Sequence, residues 1–119
     1  MNKAIKYVIM IFIAFLIIPL LFGPEMSGNV AVIPIRGVLM VDGGYGVASS
    51  TQIIDFIQQA DSDPLIEAIV FDINTPGGSA VASDEISRYI EFSSKPTVSL
   101  IREVGASGGY WIASSTKHI

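Results

Sequence analysis

Short apolar runs alternate with amphipathic stretches along most of the chain, and this alternation predicts strands followed by helices. The predicted strands cover residues 30–35, 38–41, 66–73 and 96–101, and residues 117–119 resemble the start of another. Helical spacing of apolar side chains follows two of these runs, at Ile53, Ile54, Ile57 and Ala60 and at Ala82, Ile86, Tyr89 and Ile90. Such an order predicts right-handed crossovers and a mostly parallel sheet in an α/β domain.

The N-terminal segment has a different pattern, a charge-free stretch of 17 residues from Tyr7 to Gly23. As a helix it measures about 26 Å, near the lower limit for crossing a bilayer. It exceeds the roughly 7–15 apolar residues of a cleaved signal peptide, which is the alternative, and no A-x-A-like cleavage site follows. We therefore predict a membrane anchor at residues 1–24, a linker at 25–29 and one domain at 30–119.

The charges around this stretch predict its orientation. Lys3 and Lys6 precede it, and the next basic residue is Arg36. Under the positive-inside rule the N-terminus is then cytoplasmic, and the domain is extracytoplasmic at the cell membrane.

Composition excludes several classes of function. The net charge is −4, and no cluster of Lys and Arg is present to follow a phosphate backbone, so nucleic acid is not an expected partner. The absence of cysteine excludes disulfides, thiol catalysis and zinc–cysteine sites. No motif indicates a metal or an organic cofactor, and we expect neither.

Two glycine-rich turns carry the candidate chemistry, NTPGGS at residues 74–79 and GASGGY at residues 105–110. Each follows a predicted strand and opens a helical stretch. Carboxyl ends of parallel strands meet at one edge of a sheet, so the two turns face a common crevice if their strands are neighbours. Asp72 and Asn74 lie at the end of the first of these strands, and either one can order its turn by side-chain to backbone bonds.

The small residues of these turns suit acyl transfer. Gly77 and Gly78 can adopt positive φ and leave an N–H free for an oxyanion, although a plain strand-to-helix turn is the alternative. Ser107 fits G-x-S-x-G, where an exposed hydroxyl is followed by the N–H of Gly108 as a second donor; the alternative is a serine that caps a helix. The candidates are Ser107 as nucleophile and Gly78 and Gly108 as oxyanion hole.

A base for Ser107 is harder to identify. His118 lies about 16 Å away along the same predicted helix, and Lys117 has the same problem of distance. Lys95 precedes its strand, at the opposite end of the sheet. We do not expect an α/β-hydrolase, because that fold needs an acid and then a histidine after the nucleophile, and too little of this sequence follows Ser107 to supply them.

An ordered set of motifs resembles the signal peptide peptidase A family of membrane serine proteases. The motifs are VAVIPIRG (30–37), FDINTPGGS (71–79), SDEI (83–86), KPTV (95–98) and GASGGYWIA (105–113). The resemblance implies a partial Clp protease/crotonase-like fold with a mostly parallel sheet, preceded by one transmembrane helix. It also implies that Ser107 is the nucleophile and that the Pro-Gly-Gly turn belongs to the oxyanion hole.

The family uses a serine–lysine dyad, and its lysine comes several dozen residues after the nucleophile, in sequence that this chain does not contain. The resemblance therefore implies a fragment: a split-gene product completed by another chain, a frameshifted remnant or a partial sequence. Without that lysine we expect Ser107 to be acylated slowly or not at all.

The leading hypothesis is a membrane-anchored serine endopeptidase that cleaves peptides, signal peptide remnants by family resemblance, through an acyl-enzyme on Ser107. Expected partners are these substrates, the membrane, and either further copies in a homo-oligomer or a complementing C-terminal fragment. One alternative is a non-catalytic, membrane-tethered binding or assembly module. The other is a crotonase-like acyl-thioester enzyme, against which the outward-facing anchor argues.

Overall fold

The computed structural model describes residues 1–21 and 29–119. The helices are α1 (Lys3–Leu21), α2 (Ser50–Ser62), α3 (Ala80–Glu91) and α4 (Gly108–Ser114), and the strands are β1 (Val30–Arg36), β2 (Val38–Met40), β3 (Val47–Ser49), β4 (Ala68–Thr75) and β5 (Thr97–Gly105). The predicted strands and helices are present, and β4 and β5 extend further, as far as the glycine-rich turns. β3 was not predicted, because it is three residues long and directly follows a glycine-rich loop.

At the N-terminus, α1 covers 19 residues of the predicted anchor. Within residues 1–21 and 29–119, no helix has the length and apolar character needed to cross a membrane. The predicted transmembrane helix therefore has no support from the described residues. Residues 22–24 of that anchor and 25–28 of the predicted linker lie outside them.

The main sheet has the order β1-β4-β5, and both of its strand pairs are parallel. In its register Ile33 lies beside Phe71, and Phe71 lies beside Ser99. The prediction of a parallel sheet is confirmed, and β4 and β5 are neighbours. Their carboxyl ends, which carry the two glycine-rich turns, therefore lie at the same edge.

The hydrophobic core lies between this sheet and helices α2, α3 and α4. Alternate residues of β1 and β4 point into it, and α2 and α3 contribute most of the apolar stripes that their sequences predicted. Tyr89 of the predicted α3 stripe is exposed, and Ile54 of the α2 stripe is partly buried. The fully or almost fully buried side chains include Ile33, Ile35, Phe71, Ile73, Ile57, Ile86 and Ile112. Burying one such side chain stabilises the fold by about 1.5–3 kcal/mol.

Polar caps fix where two of the helices start. The hydroxyl of Ser49 accepts a hydrogen bond from the N–H of Gln52 at 3.3 Å, and that of Ser79 accepts one from Ala82 at 3.3 Å. These bonds satisfy amides that have no partner inside their own helix. Ser49 is thus the N-cap of α2 and Ser79 that of α3.

A small second sheet, β2 paired with β3 in parallel, lies beside the carboxyl edge of the main sheet. Leu39 of β2 forms an isolated parallel bridge with Gly78. The predicted strand start at residues 117–119 is present as a single parallel bridge, between Val98 and His118. The bridge between Leu39 and Gly78 attaches the first glycine-rich turn to β2, a strand that comes earlier in the sequence.

Candidate active site

The first glycine-rich turn is held by backbone bonds to Leu39. The N–H of Leu39 donates to the carbonyl of Gly77 at 2.9 Å, and the N–H of Ser79 donates to the carbonyl of Leu39 at 2.8 Å. Gly78 lies between these bonds with φ +155, and a Cβ there would be 2.3 Å from the Leu39 carbonyl oxygen. Only glycine therefore fits at position 78 with the backbone in this place.

These bonds also determine where the N–H of Gly78 points. The carbonyl of Gly77 and the N–H of Gly78 belong to one trans peptide, so they point in opposite directions. Because the carbonyl faces Leu39, the N–H faces away from β2. It has no acceptor among residues 1–21 and 29–119. Gly78 thus presents a free donor, as the oxyanion-hole prediction requires.

Ser107 has an unusual backbone conformation, with φ 51 and ψ −122. The N–H of Gly109 donates to the carbonyl of Ala106 at 2.9 Å, which places Ser107 at the second position of a type II′ turn. Glycine normally occupies that position, and another residue there costs about 1–3 kcal/mol, a strain that concentrates at functional sites. Within the described part of the chain, Ser107 is the one non-glycine residue with positive φ.

The side chain of Ser107 does not cap the helix that follows. Ser107 occupies the N-cap position of α4, but its hydroxyl makes no capping hydrogen bond, and the residue is exposed. The structure therefore gives no support to the alternative in which Ser107 is only a helix cap. Its hydroxyl is accessible to an incoming substrate.

The two turns are in direct contact. A Cβ built on Gly77 would lie 2.8 Å from Cβ of Ser107 and 2.9 Å from the amide nitrogen of Gly108. The N–H of Gly108, like that of Gly78, has no acceptor in the part of the chain that the structure describes. The structure thus brings the predicted nucleophile and both predicted oxyanion donors into one small region, where their catalytic roles stay predictions.

None of the bases considered from the sequence lies near Ser107. The N–H of Lys117 donates to the carbonyl of Thr97 at 3.1 Å, and His118 forms its bridge with Val98, so both residues lie at the amino end of β5. Ser107 follows the carboxyl end of the same strand. The ammonium group of Lys95 binds the carbonyls of Ala60 and Asp63 at the end of α2.

Asp72 has a different role from the one expected. Its carboxylate pairs with Arg36 of β1 and with Arg102 of β5, whose Nε lies 2.8 Å away. The hydrogen bond from Arg36, and then that from Arg102, lower the pKa of Asp72, against the opposing effect of burial. Of the two residues considered for ordering the turn through backbone bonds, Asp72 instead pairs with cations of the two neighbouring strands.

Asn74 does bond to backbone, but on the neighbouring strand. Its Oδ1 accepts a hydrogen bond from the N–H of Val104 at 3.2 Å. Asn74 therefore ties the end of β4 to β5 just before the second glycine-rich turn. Sequence reasoning also missed Thr75, whose hydroxyl bonds within the site; its position immediately before Pro-Gly-Gly was the available signal.

Several known proteins are similar to this chain in sequence. No protein-family model matches the chain. Protease 4 of Salmonella typhi is 35% identical over 100 residues, which are 80% of this chain and 16% of that protein. The chloroplastic serine protease SPPA of Arabidopsis thaliana is 32% identical over 87 residues, 71% of this chain and 13% of that protein. Over most of its length the chain is similar to members of the signal peptide peptidase A family. It spans about a sixth or less of the length of these two relatives.

Solved structures share the fold of this chain. A mutant of the membrane-bound stomatin-specific protease 1510-N of Pyrococcus horikoshii is 30% identical with a TM-score of 0.60, over 73% of this chain and 40% of that one. ClpP1 of Listeria monocytogenes is 20% identical with a TM-score of 0.60, over 71% of this chain and 46% of that one. An enoyl-CoA hydratase/isomerase family member is 19% identical with a TM-score of 0.61, over 77% of this chain and 43% of that one. The last two show the fold alone, and the predicted Clp protease/crotonase-like architecture is confirmed.

Proposed function

We propose that this chain supplies the nucleophile and the oxyanion hole of a serine endopeptidase that acts through an acyl-enzyme. The observation that carries the proposal is the strained, exposed Ser107 packed against Gly77, beside two backbone donors that have no acceptor among the described residues. Strain of this kind is retained when it aims a nucleophile. A plain structural turn would not need it.

The chemistry follows from these positions. Oγ of Ser107 attacks the carbonyl carbon of a peptide bond and transfers its proton to a base. The N–H groups of Gly78 and Gly108 stabilise the negative oxygen of the tetrahedral intermediate. The C–N bond then breaks, the leaving amine takes the proton from the base, and an ester on Ser107 remains. Water hydrolyses this ester by the reverse sequence of proton transfers.

We further propose that the base is a lysine of the serine–lysine type, located in sequence that follows position 119 in family members. Burial of such a lysine favours its neutral form, which can accept the serine proton. The positions of Lys95, Lys117 and His118 support this proposal, because all three lie away from Ser107. With this chain alone, acylation of Ser107 is expected to be slow.

Location, substrates and assembly are part of the same proposal. The charge pattern around residues 7–23 supports a single-pass anchor with the domain outside the cytoplasm. The family supports peptide substrates, signal peptide remnants among them. The open edge of β1 in the described part of the sheet and the Clp-like fold support a homo-oligomer in the complete protein.

Labelling with a fluorophosphonate tests the proposal. The probe is applied to the chain alone and to the chain mixed with the part of Salmonella typhi Protease 4 that follows the matched region, and the labelled residue is located by mass spectrometry. We expect labelling at Ser107, faster in the mixture, and none in Ser107→Ala. Ser94→Ala removes another exposed serine and serves as the matched control. Absence of labelling in both samples would contradict the proposal.

The absence of a nearby base among the described residues favours a second candidate, a non-catalytic binding or assembly module that retains the crevice. This candidate predicts that neither sample is labelled. A crotonase-like acyl-thioester enzyme would use the same oxyanion donors without a serine nucleophile. It predicts that Ser107→Ala keeps full hydrolytic activity.

A further inference from the structure

Thr75, the last residue of β4, is fully buried between the two glycine-rich turns. Its hydroxyl donates a hydrogen bond to the carbonyl of Gly37 at 2.5 Å and accepts one from the N–H of Gly77 at 3.1 Å. A hydroxyl can donate and accept at the same time, so one side chain satisfies two backbone groups. Thr75 thereby links the end of β1 to the first turn.

The rest of Thr75 contacts the second turn. Its carbonyl accepts a hydrogen bond from the N–H of Ala106 at 3.2 Å, immediately before Ser107. A Cβ built on Gly109 would lie 2.6 Å from the methyl carbon of Thr75, so the start of α4 packs directly on this side chain. The same residue therefore contacts both turns that form the candidate site.

The hydroxyl bond to Gly77 has a consequence for the oxyanion hole. Gly77 has φ +100, and its N–H and its carbonyl are both bonded, to Thr75 and to Leu39. The bond at the carbonyl orients the Gly77–Gly78 peptide, which carries the N–H of Gly78, and the bond at the N–H holds the preceding Pro76–Gly77 peptide. Together they fix φ and ψ of Gly77. Removing the acceptor on Thr75 leaves a buried N–H unpaired, which favours rotation of Gly77 to find another partner. Such a rotation turns the N–H of Gly78 away from its present direction.

We infer that Thr75 is a positioning residue for acyl transfer: through Gly77, its hydroxyl aims the Gly78 oxyanion donor at the carbonyl that Ser107 attacks. The inference rests on the proposed function. It assigns the hydroxyl an effect on reaction rate that a purely structural buried threonine would not have.

The test compares Thr75→Val, which keeps the shape and removes the hydroxyl, with Thr75→Ser, which keeps the hydroxyl. One readout is the rate of fluorophosphonate labelling at Ser107, with the Protease 4 segment present. The other is hydrogen exchange of the Gly77 amide, measured by NMR on the full chain. Exchange of the amide of Ile57, a fully buried core residue of α2, reports whether each variant is folded.

We expect Thr75→Val to slow labelling by about tenfold or more and to speed exchange at Gly77 by about tenfold, because an aimed donor and a buried bond are both lost. Thr75→Ser should stay close to the unchanged protein in both readouts. The inference is overturned if Thr75→Val labels at the unchanged rate, or if Thr75→Ser is impaired as much as Thr75→Val.

The exchange readout separates this inference from the proposed function. If the unchanged protein is not labelled at all, the proposed function fails. Hydrogen exchange then still decides whether the Thr75 hydroxyl holds Gly77: equal exchange in all three proteins would overturn that part as well. Faster exchange in Thr75→Val alone would leave Thr75 as the residue that orients Gly77.

Discussion

Gly77 and Ser107 are in van der Waals contact across the two glycine-rich turns, and a Cβ built on Gly77 would lie 2.8 Å from Cβ of Ser107. The contact joins the carboxyl ends of β4 and β5, which are adjacent parallel strands. It leaves no room for a side chain at position 77. A side chain at position 77 would therefore push the turn that carries Ser107 away from the turn that carries Gly78.

Gly77→Ala should disrupt the site more than it disrupts the fold. The new methyl would also lie 2.9 Å from the amide nitrogen of Gly108, and φ at this position is +100. We expect a loss of about 1–3 kcal/mol in the free energy of unfolding. Separation of the turns should slow labelling of Ser107 by about 100-fold. Chemical denaturation and the labelling rate measure the two effects.

Gly46→Ala is the matched control for that substitution. Gly46 has φ +72, but a Cβ there meets nothing within 4 Å. This variant should lose about 1 kcal/mol from backbone strain and keep the unchanged labelling rate. Equal labelling defects in both variants would show that strain alone, rather than contact with Ser107, determines the rate.

Ser107→Gly should stabilise the protein relative to Ser107→Ala while both variants lose labelling. Glycine adopts the φ of 51 and ψ of −122 without steric cost, whereas alanine keeps the strain. The expected difference is about 1 kcal/mol, or about 4–8 °C in Tm for a domain of this size. Thermal melting followed by circular dichroism measures it. Equal Tm values would mean that position 107 is not strained.

Much of the fold was predictable because it depends on local patterns. Continuous apolar runs identified β1, β4 and β5, and helical spacing identified α2 and α3. β3 was missed because its three residues lie directly between a glycine-rich loop and the start of α2. The membrane anchor was predicted from the same kind of pattern, but the described residues give it no support.

The site was predictable only where its chemistry lies in contiguous residues. Gly78, Ser107 and Gly108 belong to two short motifs, so the sequence was sufficient to propose them. The partners of Asp72 were not predictable, because Arg36 and Arg102 reach it only through the strand order β1-β4-β5. The bond from the Thr75 hydroxyl to Gly37 was not predictable for the same reason, since Gly37 lies 38 positions earlier.

Replacing the basic residues at the far end of the sheet should leave labelling unchanged. Lys95→Met, Lys117→Met and His118→Gln each remove a base that lies away from Ser107. Lys95→Met should lower stability slightly, because two carbonyls of α2 lose a charged donor. Labelling rates of the three variants, with the Protease 4 segment present, check this. Loss of labelling in any one of them would place the base within this chain.

Stability should fall in acid partly because of Asp72. Its pKa is lowered in the folded protein, so its contribution is fully present above the unfolded aspartate pKa of about 3.9 and is lost as the pH falls through the lower folded value. Asp72→Asn should therefore be less stable than the unchanged protein at pH 7, and the difference should shrink in strong acid. Urea denaturation at both pH values measures it.

The ion pair of Asp84 and Arg88 within α3 provides the control for that titration. Its Nε–Oδ2 distance is 2.9 Å, the Arg88 side chain is 68% exposed and that of Asp84 is 39% exposed, and such i,i+4 helix pairs contribute about 0.3–0.5 kcal/mol. Asp84→Asn should therefore change stability little at either pH. Both arginines that pair with Asp72 are more than half exposed, at 59% and 56%, so the effect at Asp72 depends on the buried carboxylate they share. If Asp72→Asn changes the free energy of unfolding as little as Asp84→Asn does, the ion pairs of Asp72 with Arg36 and Arg102 do not stabilise the sheet.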